Sequence, residues 1–223
     1  MAGRQRGSEY YDKLYLTGDR TYDRPFTSPY YPLFRKVEER VRQEGLGAIL
    51  EVGCGSGILA EILIAGGVRY GGFDISPVAV AKARARNPEG HFFVGDAVDA
   101  NAYDRPYDGI VCCEVLEHID ADLSVVECWK TGSVAVCSVP NFDYESHVRF
   151  FRSEEDIRRR YGALLDIRWI ARVAKSARAD LSGAEYFRRI RWARNQPTRL
   201  LGIFGINAFA WYGGWFVFVG RRR

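Results

Sequence analysis

The stretch that most constrains the fold is Ala48–Gly57, "AILEVGCGSG", followed at once by "ILAEILIAGG". A short apolar run ends in three glycines at alternate positions, and a helix-spaced apolar segment begins directly after them. This pattern predicts a buried strand, a tight turn and a helix. Glycine at the turn permits positive φ and lets a ligand approach the backbone closely. The first turn of the following helix carries N–H groups with no intrahelical partner. A dinucleotide-binding fold also puts glycines here, so the loop alone is only moderately specific, and a tight strand–helix turn with no ligand is the bland alternative.

The remaining chain repeats the strand–helix alternation. "RYGGFDIS" reads as a strand ending in an acid, and "SPVAVAKARARN" as a helix capped by Ser76 with Pro77 at its first position. "GHFFVGDA" and "YDGIVCCEV" read as strands, "ADLSVVECWKTG" as a helix and "SVAVCSVPN" as a strand. "SEEDIRRRYG" is a helix capped by Ser153, and "LLDIRWIARV" and "WFVFVGRR" are the last two strands. Continuous apolar strands alternating with helices predict an α/β fold, a mostly parallel sheet with helices on both faces. Upstream, a helix is expected after Ser28 with Pro29 in its first turn. Its stripe is Leu33, Phe34, Val37 and Val41, and it ends at "EGLG". We read residues 1–223 as one domain. Residues 1–28 form a mobile or lid-like arm, and 174–210 are an insertion between the last two strands.

Composition sets outer limits. Of 223 residues, 47% are hydrophobic and 27% charged, as in ordinary globular proteins. The net charge of +4 does not by itself point to nucleic acid. Cys54, Cys112, Cys113, Cys128 and Cys137 form no CxxC pair and lie mostly in apolar runs. They predict reduced, buried thiols and a cytoplasmic protein. The polar N-terminus does not read as a signal peptide, and no transmembrane helix is expected.

Two acids give the glycine loop its meaning. Asp74 ends the second strand, where a carboxylate can accept both hydroxyls of a ribose, and Asp96 ends the third, within reach of an adenine amino group. Open parallel sheets bind ligands at the carboxyl ends of their strands. No GK[ST] follows the glycines, which excludes a P-loop, and "GCGSG" departs from the GxGxxG of nicotinamide enzymes.

"ILEVGCGSG", "GGFDIS", "VGDAVD" and "YDGIVCCEVLEHI" together resemble the motifs of class I S-adenosylmethionine-dependent methyltransferases, from about Ile49 to Pro140. The resemblance implies a Rossmann-like seven-stranded sheet, mostly parallel with an antiparallel last strand. It implies S-adenosylmethionine as cofactor. Glu51 and the loop of Gly53, Cys54, Gly55 and Gly57 would line its methionine end. Asp74 would take the ribose, Asp96 and Ala97 the adenine, and Cys113 and Glu114 the floor beneath the sulfonium. Phe73, Ile75 and Val98 would sandwich the adenine.

The stretch "EVLEH" (114–118) and the later His147 follow the fourth and fifth strands, whose loops face each other in this fold. Three readings stay open. Glu114, Glu117, His118 and His147 bind a divalent metal (Mg, Mn, Fe or Zn) that orients an acceptor hydroxyl. Alternatively, His118 or His147 is a general base, with Glu114 beside the cofactor. In the third, the polar residues only open a loop. His91 reads as a surface residue. The strands' endings resemble ubiquinone-biosynthesis O-methyltransferases and relatives acting on small molecules. They also resemble RNA 2′-O-methyltransferases that use a Glu-x-x-Glu-His with a distal His. The expected partner is therefore a small-molecule substrate, with RNA as the runner-up acceptor and a catalytically idle partner subunit as the non-enzymatic alternative. The basic, aromatic insertion reads as an edge helix, a substrate lid or a binding surface for membrane or RNA. Tyr11 or Tyr15 of the arm could reach the cofactor carboxylate.

Overall fold

The computed structural model describes residues 3–17, 25, 28, 30–174, 187, 190, 191, 209 and 213–223. In the chain's centre the expected alternation is present. The strands are β1 (Ala48–Val52), β2 (Arg69–Asp74), β3 (His91–Val94), β4 (Gly109–Cys113), β5 (Val134–Pro140), β6 (Leu165–Ala174) and β7 (Gly214–Arg222). The helices are α1 (Ser8–Thr17), α2 (Tyr31–Gln43), α3 (Ile58–Ala65), α4 (Pro77–Arg86), α5 (Asp122–Glu127) and α6 (Glu154–Tyr161). The strands form one sheet in the order β3-β2-β1-β4-β5-β7-β6. β1 to β5 pair in parallel, and β7 runs antiparallel between β5 and β6. A bulge interrupts β6 between Ile167 and Trp169.

The strands alternate between two cores. Leu50, Val52, Ile110 and Cys112 face the side covered by Val125, Val126, Ile157 and Tyr161 of α5 and α6. Ile49, Val111 and Val136 face Leu33, Val37 and Val41 of α2, Leu59 and Leu63 of α3, and Val80 of α4. Both faces are thus buried, which is why β1 is apolar at four of its five positions.

Local signals explain the boundaries. Ser76 accepts a hydrogen bond from the Ala79 N–H and caps α4 (3.0 Å). Ser153 and Asp156 form a reciprocal capping box at α6. α2 begins at Tyr31, later than expected, and the proline in its first turn is Pro32 rather than Pro29. Pro fits there because its missing N–H would be unpaired in any case. The expected arm contains a regular helix, α1, which has no fully buried residue and packs against α4. The insertion starts after Ala174, because β6 runs to that residue. Our readings of it concern residues that lie almost wholly outside the described ones. All five cysteines are free, and four are buried. Among the described residues no helix is long and apolar enough to cross a membrane.

Candidate active site

The sheet order reverses between β1 and β4, so the crevice at their carboxyl ends is the place where this architecture binds ligands. At the end of β1, Gly53, Gly55 and Gly57 all have positive φ (71°, 53° and 77°). A Cβ on Gly53 would fall 2.3 Å from Val115 Cγ2, and one on Gly55 would fall 2.7 Å from the Tyr15 hydroxyl. The loop is therefore restricted to glycine by conformation and by crowding.

Asp74 ties this loop to β2. Its Oδ2 accepts the Gly55 N–H and its Oδ1 the Ser76 N–H, each at 2.9 Å. A carboxylate offers about four acceptor positions, so these bonds orient the group without exhausting it. Burial raises its pKa, backbone donors oppose that shift, and the nearby Asp12 carboxylate adds to it. Asp96 is exposed, with Oδ1 accepting the Val98 N–H (3.1 Å). Ala97 is buried, Ile75 half-buried and Val98 exposed. Phe73 corrects the expected adenine sandwich. It is 1% exposed and packs on Phe93 and Tyr103 inside the core, because the strand's alternation turns it inward. Glu51 lies beneath the loop, where the Tyr70 hydroxyl donates to its Oε2. Burial pushes its pKa up to about 8, so at neutral pH it is held mainly as the acid.

At the end of β4, Cys113 is buried and Glu114 turns the chain sharply. Glu114 has φ 58°, the one described non-glycine residue with positive φ. Its side chain is engaged on the sheet side. Ser138 Oγ donates to Oε1 (3.1 Å) and Trp215 Nε1 to Oε2 (2.7 Å). Ser138 also accepts the Glu114 N–H (3.2 Å). Strain of this kind concentrates where a side chain must be aimed.

The next residues build a second centre. Glu117, His118 and His147 each offer a ligand atom, and these atoms all lie within 4.8 Å of one another. Glu114 is not in this group, so the structure brings together three of the four expected metal ligands. The imidazoles are fixed by their inner nitrogens. His118 Nδ1 is 2.9 Å from the Ser146 carbonyl and His147 Nδ1 is 3.2 Å from the Phe142 carbonyl. Carbonyls only accept, so each Nδ1 carries the hydrogen. Nε2 is then the lone-pair nitrogen while the ring is neutral. Burial holds the His118 pKa down to about 4, which keeps that ring neutral. Glu117 is fully buried, and among the described residues neither of its oxygens has a hydrogen-bond partner; His118 Nε2 lies 3.8 Å from its Oε1. Its pKa is raised well above the carboxylate range by burial, and the Glu114 charge adds to this. The carboxylate form of such a buried group is costly, and a cation is one standard way to offset that cost.

α1 spans both centres. Asp12 accepts from Ser76 Oγ (2.5 Å) and from the Val78 N–H (3.3 Å) at the start of α4. Tyr11 lies edge-on to His118, with ring centroids 6.2 Å apart. Tyr10 donates to Glu145 (3.0 Å), and Gln5 accepts the Asp120 N–H (2.7 Å). Of these, only the arm's tyrosines stood out in the sequence. Asp12 and Gln5 carry no local motif, and their role comes from where α1 docks. His91 is exposed at the opposite end of β3.

A family model described as "Methyltransferase domain" matches residues 29–196. The ubiquinone biosynthesis O-methyltransferase of Vibrio cholerae is 37% identical over 84 residues, which is 35% of this chain and 34% of that protein. The chain thus aligns with about a third of the length of the first curated relatives. The structure of magnesium protoporphyrin IX methyltransferase from Synechocystis PCC 6803 with bound SAH has a TM-score of 0.65 at 14% identity. The alignment covers 97% of this chain and 98% of that one. The [4+2]-cyclase SpnF gives a TM-score of 0.66 at 15% identity over 100% and 99% of the two chains. At these identities the structural likenesses establish the fold alone.

Proposed function

From the premise that this chain belongs to the class I S-adenosylmethionine-dependent methyltransferases, we propose that it O-methylates a small molecule. In this reading a divalent metal at Glu117, His118 and His147 assists, and the protein acts among the reduced thiols of the cytoplasm. The observation that carries the acceptor half is the orphaned Glu117 carboxylate facing two histidines whose Nδ1 atoms are already committed.

The glycine loop and Asp74 suit S-adenosylmethionine. Positive φ opens the backbone at Gly53, Gly55 and Gly57, and Asp74 presents a pre-oriented acceptor to a ribose. When bound, the cofactor supplies the electrophilic methyl group. Asp96 remains exposed for an adenine amino group. Glu114 keeps the floor between the centres rigid through Ser138 and Trp215.

The cluster suits a cation because two imidazoles and one carboxyl group form a mixed N,O donor set. When bound, the metal would supply Lewis acidity that lowers the pKa of an acceptor hydroxyl. The chain's own contribution is to hold the donors fixed and largely shielded from water, since methyl transfer depends on alignment of nucleophile and sulfonium. Curated relatives named for ubiquinone O-methylation support an oxygen acceptor on a small molecule. The same cluster also suits a ribose hydroxyl at an RNA terminus, which is the second reading. A catalytically idle cofactor-fold subunit is the non-enzymatic reading. It predicts SAH binding without transfer.

Calorimetry with S-adenosylhomocysteine tests the cofactor half. Wild type should bind, and Asp74→Ala should weaken binding by about 1.5–3 kcal/mol, as loss of hydrogen bonds to a charged group does. Absence of binding by the wild type would remove the proposal.

A further inference from the structure

The two loops that supply the candidate metal donors are joined residue by residue. Ser146 O meets His118 Nδ1 at 2.9 Å. The Val148 N–H donates to Glu117 O at 2.8 Å. Arg149 then closes the set. Its Nη1 donates to the carbonyls of Leu116 and Ile119, both at 2.5 Å, and its Nη2 to the carbonyl of Asp120 at 3.0 Å. One guanidinium, two positions beyond His147, therefore grips the turn that carries Glu117 and His118 from both sides.

The grip is itself anchored. Arg149 Nη1 is 3.3 Å from Oδ2 of Asp122, which is fully buried. Asp122 also takes a two-point contact from Arg160 (3.0 and 2.5 Å) and the Tyr161 hydroxyl (2.7 Å). The guanidinium fork matters here. Lysine carries the same charge but lacks the planar set of donors that can reach three carbonyls at once.

We infer that Arg149 is a positioning residue for the metal centre: by clasping the 116–120 turn it holds the Glu117 and His118 donors in register with His147. The inference rests on the metal reading above. Outer partners of this kind govern how well ligands are pre-arranged, and their loss typically lowers metal affinity 10–100-fold.

The test is a titration of full-length protein with Co²⁺, followed by its visible absorption spectrum, in parallel with S-adenosylhomocysteine calorimetry. Arg149→Lys and Arg149→Met should bind Co²⁺ about 10–100-fold more weakly, with an altered spectrum. Their affinity for S-adenosylhomocysteine, bound at the other end of the crevice, should stay at the wild-type value. Arg160→Met is the control, because Arg160 shares Asp122 but donates to no carbonyl of the turn. It should keep wild-type Co²⁺ affinity. If Arg149→Met does not fold, Arg149→Lys alone decides. A lysine variant with unchanged Co²⁺ affinity and spectrum overturns the inference. So does a parallel loss of cofactor binding, or an equal loss in Arg160→Met, since either would mark Arg149 as merely structural. Failure of the wild type to take up Co²⁺ is a different outcome: it removes the metal reading itself.

Discussion

At Glu114 a backbone strain and a side-chain role can be separated. The left-handed conformation costs a non-glycine residue roughly 1 kcal/mol or more. The Ser138 and Trp215 contacts offset that cost. Glu114→Ala keeps the strain and loses the contacts, whereas Glu114→Gly loses both. Chemical denaturation should therefore find Glu114→Gly more stable than Glu114→Ala by about 1 kcal/mol. Equal stabilities would show that the backbone there is unstrained. Glu51 makes a pH prediction. Its folded pKa is raised to about 8, while an unfolded glutamate titrates near about 4.3. Its contribution is fully present below the unfolded value and is lost as pH rises toward 8. The slope approaches about 1.4 kcal/mol per pH unit at most. Glu51→Gln should flatten the decline in stability across this window, measured by denaturation at pH 5 to 8. An unchanged slope would mean that Glu51 is not the titrating group.

Elements show how much the sequence could say. The α2 stripe of Leu33, Val37 and Val41 is fully buried, because a helix on a sheet must commit one face. Capping residues placed α4 and α6 correctly, since Ser76 and Ser153 satisfy amides that no tertiary contact needs to supply. The sequence suggested a lid-like arm, but neither the helix α1 within it nor the residues that anchor it were legible. Its leucines, Leu14 and Leu16, are exposed, and its contacts with the body are largely polar, made by Asp12, by Tyr10 and by Lys82 of α4, with the Tyr11 ring against His118. An element held in this way opens at low free-energy cost. Hydrogen exchange over residues 8–17 should be fast in the ligand-free protein and slower with saturating S-adenosylhomocysteine, because α1 lies over Gly55 and the start of α4. Exchange that is indifferent to the ligand would rule out α1 as a cover for the cofactor. The Glu114 discrepancy has the same origin. Sequence spacing put four donors near one point, but the sharp turn after β4 sends Glu114 to Trp215, a residue 101 positions later that no local pattern connects to it.

Across the whole molecule, the sheet places two different chemistries side by side. The β1–β2 end holds glycines and a pre-oriented acid, and the β4–β5 end holds a buried carboxyl group with two imidazoles. The antiparallel β7 completes the floor by bringing Trp215 against Glu114. The sheet was readable because the apolar runs of β1, β4 and β5 report burial on both faces. The acceptor was not, because the 141–149 loop beside the Glu117 and His118 turn mixes polar and aromatic residues that follow no period. The proposed reaction is methyl transfer to an oxygen acceptor positioned by Glu117, His118 and His147. The most direct measurement is transfer of labelled methyl from S-adenosylmethionine by purified protein to a panel of hydroxylated small molecules and RNA. It is run with added divalent metal, after chelation and after metal is restored. Label should appear in a small-molecule product, be lost on chelation and be regained with metal. Transfer unchanged by chelation, or label found only in RNA, would contradict this.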